Sequence, residues 1–184
     1  MMSKLRIGLI QTGDYKIELM STLSEQLLAY LQKSVESLNS INRNFLGKYK
    51  SNEALVLDYG IIFNKQIKPS SIKGKPSLYY QNCYEIMCDN PDLHYCEGFA
   101  VHEKLPLPLT HAWLINNESE VIDPTWLDRG ETAYLGVVFN KSFITKRLIQ
   151  TQSFAVIESD YKQDYKMLKN GFTAEMLNQK FHQL

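Results

Sequence analysis

The sequence predicts an α+β fold, and three observations carry that expectation. A stretch near the start has helical spacing, the centre from Tyr95 to Phe139 has strand texture, and the end returns to helical signals. In the first, Met20, Leu23, Leu27, Leu28, Leu31, Val35 and Leu38 recur at helical intervals, so one face of a helix over 20–38 is apolar. In the centre, Tyr95 to Val101, His111 to Ile115, Glu120 to Ile122 and Tyr134 to Phe139 are short aromatic or β-branched runs with turn residues between them. Residues 5–11 read as a strand ahead of the helix, and 54–63 as a buried strand pair or a strand and turn. Residues 152–157 offer one more strand. Asp160 to Lys169 reads as a helix stopped by Asn170-Gly171, and Thr173 opens a short helix to about Phe181.

The 184 residues suit one domain, 1–184, with length enough to bury a core. Twenty basic residues balance twenty acidic ones, which removes any global electrostatic case for nucleic acid or an anionic membrane. The apolar run at 7–10 is far shorter than a membrane span and lacks a signal-peptide cleavage pattern, so a soluble, cytoplasmic protein is expected. Three cysteines, all between positions 83 and 96, are an odd and clustered set that reads as reduced thiols rather than a disulfide framework. Residues 67–77 read as a surface loop feeding the first of them.

Cys83, His111 and Asp123 follow one another in contexts that suit a cysteine nucleophile, its base and the group that orients the base. A thiolate attacks an acyl carbon far better than a thiol, and a neighbouring imidazole takes the thiol proton. An aspartate then fixes the ring's tautomer and stabilises its charge. Residues 116–120 form a polar turn between the strands that carry His111 and Asp123, so a hairpin would join them. Cys83 reads as lying near the first turn of a helix, where unpaired N–H groups favour a thiolate and later an oxyanion. Gln81 or Asn82, with the Cys83 amide, is the expected oxyanion donor. Glu97 lines the cleft or bonds backbone at a bulge, and Trp113 and Trp126 pack around the histidine and aspartate. Cys88 is expected on the core side of the helix and Cys96 in an apolar strand. The rival reading is zinc, held by Cys83, Cys88, His94 and Cys96, but their spacing lacks the paired Cys-x-x-Cys knuckles of structural sites. No metal or cofactor is expected.

The segments Cys83-Tyr84-Glu85, Cys96-Glu97-Gly98-Phe99-Ala100, His111-Ala112-Trp113 and Asp123-Pro124-Thr125-Trp126, in that order, resemble the transglutaminase-like branch of the papain-like cysteine enzymes. The resemblance implies a helix bearing the nucleophile packed on an antiparallel sheet bearing the other two residues. It implies acyl transfer from a peptide, amide or thioester-like substrate, which can be protein-borne. It covers about a third of the chain. The chain departs from the larger members in its short cysteine-to-histidine interval, in having Asn82 rather than glycine before the cysteine, and in lacking their accessory domains. Domains of this kind include hydrolases, transferases and non-catalytic binding modules, so the substrate is left open.

Overall fold

A capping box starts the first helix. The Thr22 hydroxyl accepts from the Glu25 N–H at 3.2 Å, and the Glu25 carboxylate accepts from the Thr22 N–H at 2.8 Å. The resulting α1, Leu23–Ile41, matches the predicted helix and buries Leu27 and Leu31. This computed structural model describes residues 22–67, 70, 72–127 and 130–182, so the strand expected over 5–11 lies outside the described residues.

The apolar stretch at 54–63 divides where its ends dictate. The Ser51 side chain caps the Ala54 N–H, which starts α2, Asn52–Tyr59, and the helix stops at Gly60 before β1, Ile61–Phe63. Where a strand pair or a strand and turn is expected, the stretch is a helix and a strand, because local capping decides a short apolar run that periodicity leaves ambiguous. α3, Tyr79–Asp89, carries Cys83. β2, His94–His102, β3, Leu105–Ile115, β4, Val121–Ile122, and β5, Thr132–Val138, follow. They form one antiparallel sheet in the order β1-β5-β2-β3-β4. The described residues are therefore α+β. β3 begins six residues earlier than expected, since Pro106 and Pro108 sit in a stretch that has β2 on one side only, where missing N–H groups are tolerated.

One face of the sheet carries the larger core. Leu27 and Leu31 of α1, Leu55 and Val56 of α2, and Cys83 and Met87 of α3 pack with Tyr95, Phe99, Ala112 and Leu114. The other face holds Phe63, Cys96, Ala100, Trp113, Ile115, Tyr134 and Val138. Trp113 needs room there, and glycine provides it, because a Cβ on Gly136 would lie 2.4 Å from the indole.

After the sheet, Asn140 caps α4, Lys141–Thr151, a helix the sequence reading missed. The strand expected at 152–157 is irregular, and its N–H groups go to a side chain described below rather than to a sheet. The expected helix over 160–169 breaks at Asp164 and Tyr165, both left-handed, into a 3-10 turn, Glu158–Gln163, and α5, Lys166–Asn170, which Gly171 closes at φ +83. Residues from Thr173 onward form turns and one bridge, Phe139 to Leu177, in place of the expected helix. Among the described residues no helix is long and apolar enough to cross a membrane.

Candidate active site

The turn between β3 and β4 is built by Asn116, whose side-chain oxygen accepts from the Glu118 and Glu120 N–H groups at 3.0 and 2.9 Å. It returns the chain so that Asp123, one residue past β4, meets His111 on β3. The His111 Nε2 lies 2.8 Å from the Asp123 Oδ2, and both side chains are buried. Asp123 also accepts the N–H groups of Thr125 and Trp126 on Oδ1, at 2.8 and 3.0 Å, and the Tyr134 hydroxyl on Oδ2 at 2.9 Å. Burial alone would raise its pKa. The His111 charge, the His111 hydrogen bond and the two backbone donors outweigh that and hold the carboxyl below its ordinary value. An ionised carboxylate only accepts, so His111 donates from Nε2 and its neutral form presents an unprotonated Nδ1.

Aromatic rings fix the imidazole in place. Trp126 stacks on it at 4.4 Å and 17°, and Trp113 and Tyr134 stand at 6.4 Å. Both tryptophans pack around the pair as the sequence predicts. At His111 β3 has no strand on its outer side among the described residues, since β4 pairs only with Leu114 and Ile115. α3 comes to that open edge. Tyr79, on its first turn, has its ring centroid 5.0 Å from that of His111. Asn82 donates from Nδ2 to the Thr125 hydroxyl at 3.4 Å, and the Gly74 N–H donates to the Pro124 carbonyl at 2.7 Å. Cys83 follows Asn82 directly and lies one helical turn beyond Tyr79, so the turn of α3 that leads into it runs past this site, Tyr79 against the imidazole and Asn82 against Thr125.

Several expectations about the nucleophile need correction. Cys83 is the fifth residue of α3, so its own N–H lies inside the helical ladder, and the N–H groups without intrahelical acceptors are those of Tyr79, Tyr80 and Gln81. The Gln81 amide donates along the helix to Glu85 at 2.7 Å. The Asn82 amide clamps the preceding loop, donating to the Lys75 carbonyl at 2.7 Å and accepting its N–H at 3.0 Å. With Thr125 as its second acceptor, the Asn82 amide has no donor left for an oxyanion, and the Gln81 amide is turned along the helix to Glu85. The thiol is fully buried, and burial first, then the Asp123 charge, push its pKa well above the ordinary value. The resting group is a thiol rather than the thiolate expected at a helix start.

Glu97 is likewise structural. Its carboxylate accepts the N–H groups of Val156, Ile157 and Glu158 at 2.6, 2.8 and 3.2 Å and the Tyr95 hydroxyl at 3.0 Å, so it caps the 3-10 turn from across the sheet. Burial pushes its pKa up to about 7, against the pull of these four donors. The four zinc candidates do not converge: Cys88 is exposed rather than on the core side, His94 bonds Asn117 and Asn178, and Cys96 is buried in the second core. Among the described residues no group of three potential metal ligands gathers.

Sequence reasoning missed Tyr134 and Gln66. The Gln66 amide donates to the Tyr134 hydroxyl at 3.1 Å, and that hydroxyl donates to Asp123. Burial and the adjacent carboxylate push the phenol well above its usual range, which keeps it a donor. The alternation of β5 could have placed Tyr134 on the Trp113 face, but nothing local marks its partner. Tyr134→Phe is expected to slow reaction at Cys83 about three- to tenfold and to cost about 1 kcal/mol of stability, since it removes one of four donors to Asp123. Alkylation kinetics with urea unfolding check this, and an unchanged rate would assign the hydroxyl to packing alone.

No family model, curated protein or solved structure matches the chain.

Proposed function

We propose that the protein is a cysteine-dependent acyl-transfer enzyme with a transglutaminase-like, papain-like arrangement, acting on an amide, peptide or thioester-like substrate. The observation that carries the reading is the buried His111–Asp123 pair at 2.8 Å, met by the turn of α3 that leads into Cys83, with the Tyr79 ring against His111 and the Asn82 amide on Thr125. In this reading the His111 Nδ1 takes the Cys83 proton as sulfur attacks the carbonyl and later returns it to the leaving group. Asp123 holds the ring in the tautomer that makes Nδ1 the acceptor. The N–H groups of the first turn of α3 favour the oxyanion. Water as final acceptor makes the protein a hydrolase, and an amine makes it a transferase.

A second reading, a binding module of the same architecture, is favoured by one observation: the Cys83 thiol is fully buried and its pKa is raised. Timed labelling with iodoacetamide near pH 6, followed by peptide mapping, separates the two. The enzyme reading expects Cys83 to label faster than exposed Cys88, and to lose that advantage in His111→Ala. Faster labelling of Cys88 or Cys96 would favour the binding module. Once a substrate is found, amine-dependent product marks a transferase.

A further inference from the structure

Three leucines of β3 stand in water where a core strand would bury them: Leu105, Leu107 and Leu109 are 44%, 54% and 41% exposed. They alternate along the strand, so they share a face, and the next residue of that parity is His111. Leu105 and Leu109, with His102, Thr125, Trp126 and Leu127, line a cavity of about 360 Å³. That volume falls within the roughly 300–1,000 Å³ of small-ligand sites. Trp126 belongs to both places, because it walls the cavity and stacks on His111 at 4.4 Å. Leu105, Leu109, Trp126 and Leu127 give the described lining a largely apolar surface, with His102 and Thr125 as its polar side chains, so an aliphatic group is the partner that surface suits. Strand addition is also disfavoured, because Pro106 and Pro108 offer no N–H to an incoming backbone.

We infer that this cavity is the substrate-side subsite of the proposed acyl-transfer centre and takes a neutral aliphatic chain, held against Trp126 and the leucine row, next to the carbonyl that Cys83 attacks. The inference rests on the reading of Cys83 as nucleophile. The exposure of Leu105 and Leu109 then has a function: they are walls of a site covered only when substrate is bound. Thr125, also in the lining, supplies a hydroxyl that can meet the polar head of such a chain.

N-hexyl iodoacetamide, plain iodoacetamide and N-(5-carboxypentyl) iodoacetamide test this on the whole chain. In each, the Cys83 sulfur forms a bond to the methylene carbon as the C–I bond breaks, iodide leaves and the thiol proton passes to His111. Normalised to their rates with a small thiol, the hexyl reagent is expected to label Cys83 at least about tenfold faster than iodoacetamide, an effect that burial of two methylenes suffices to give. The carboxylate reagent should gain nothing. Leu109→Asp, at an exposed position, should abolish the hexyl advantage, read as the ratio of the hexyl to the plain iodoacetamide rate in the same variant, and Leu105→Asn should reduce it. Equal rates for hexyl and plain reagents at a Cys83 that does label would overturn the subsite and leave the enzyme reading intact. A carboxylate reagent as fast as the hexyl one would overturn the aliphatic assignment.

A second readout needs no reactive cysteine. N-Hexylacetamide should shift the Trp126 indole resonance saturably, with the signal assigned through Trp126→Phe, and should not do so in Leu109→Asp. That shift with an unreactive Cys83 would keep the subsite and sink the nucleophile. Absence of both the shift and the hexyl advantage would sink the subsite.

Discussion

Replacing Asp123 with asparagine is expected to slow acylation of Cys83 by about 10²- to 10⁴-fold, the range that loss of the orienting carboxylate spans in triads of this logic. Many cysteine enzymes tolerate an amide at this position, and the reason this one should not lies in its donor count. Oδ1 already accepts two backbone N–H groups, and Oδ2 accepts His111 and Tyr134. Whichever way the amide is turned, its NH2 group faces donors. If it faces His111, the ring must accept at Nε2 and carry its proton on Nδ1, the wrong tautomer for taking a proton from sulfur. Rates of Cys83 alkylation and of acyl-enzyme formation measure the effect. A loss below about threefold would mean that Asp123 is a packing group and would remove the main support for the enzyme reading.

Glu97→Ala is expected to cost about 3–5 kcal/mol. It strips the acceptor from three backbone N–H groups and one phenol in the interior, each about 1–3 kcal/mol when left unsatisfied, with water entry offsetting part. Set against a usual domain stability of about 5–15 kcal/mol, that change alone can leave the chain marginal. Urea unfolding reads it directly, and a cost below about 1 kcal/mol would show that residues 156–158 hold without the carboxylate. The pH dependence has a definite sign. The folded pKa of about 7 lies above the ordinary 4.5, so the folded state binds this proton more tightly than the unfolded one. The contribution is fully present below the ordinary value and is lost as pH rises through 7. The difference between wild type and Glu97→Gln should therefore shrink from pH 5 to pH 8. Asp123 behaves oppositely: its depressed pKa stabilises above the ordinary carboxylate value, and that contribution is lost in acid.

How much of this was legible in the sequence follows the range of each interaction. α1 announced itself through the spacing of its leucines, and β2, β4 and β5 through short apolar runs, because those signals lie within one element. The His111–Asp123 pair was legible for the same reason, since a five-residue polar turn separates its strands. What failed was nonlocal or decided at an end. Residues 152–157 carry the apolar character of a strand, but the Glu97 carboxylate binds their backbone first. The second helix hinged on the Ser51 cap rather than on its apolar run. Gln81 and Asn82 each carry an amide just ahead of the nucleophile, yet the helix turns one outward to Glu85 and the other back to Lys75. The Gln66 to Tyr134 link spans 68 residues and leaves no local trace.

That same separation in sequence orders the assembly of the molecule in time. The His111–Asp123 contact closes a loop of 12 residues, whereas the Glu97 clamp on Val156 closes one of 59. The longer closure carries an added entropic cost of about 1.4 kcal/mol, and it needs α4 to be in place between its ends. The base and its orienting acid therefore have the cheaper of the two closures, within one hairpin, while the rings that bury them, Tyr79, Trp126 and Tyr134, come from outside it. The C-terminal segment fastens to β2 through the longer closure, at the Glu97 carboxylate. A chain cut short after β5 would lose the three backbone donors to Glu97 and leave that carboxyl the Tyr95 hydroxyl alone.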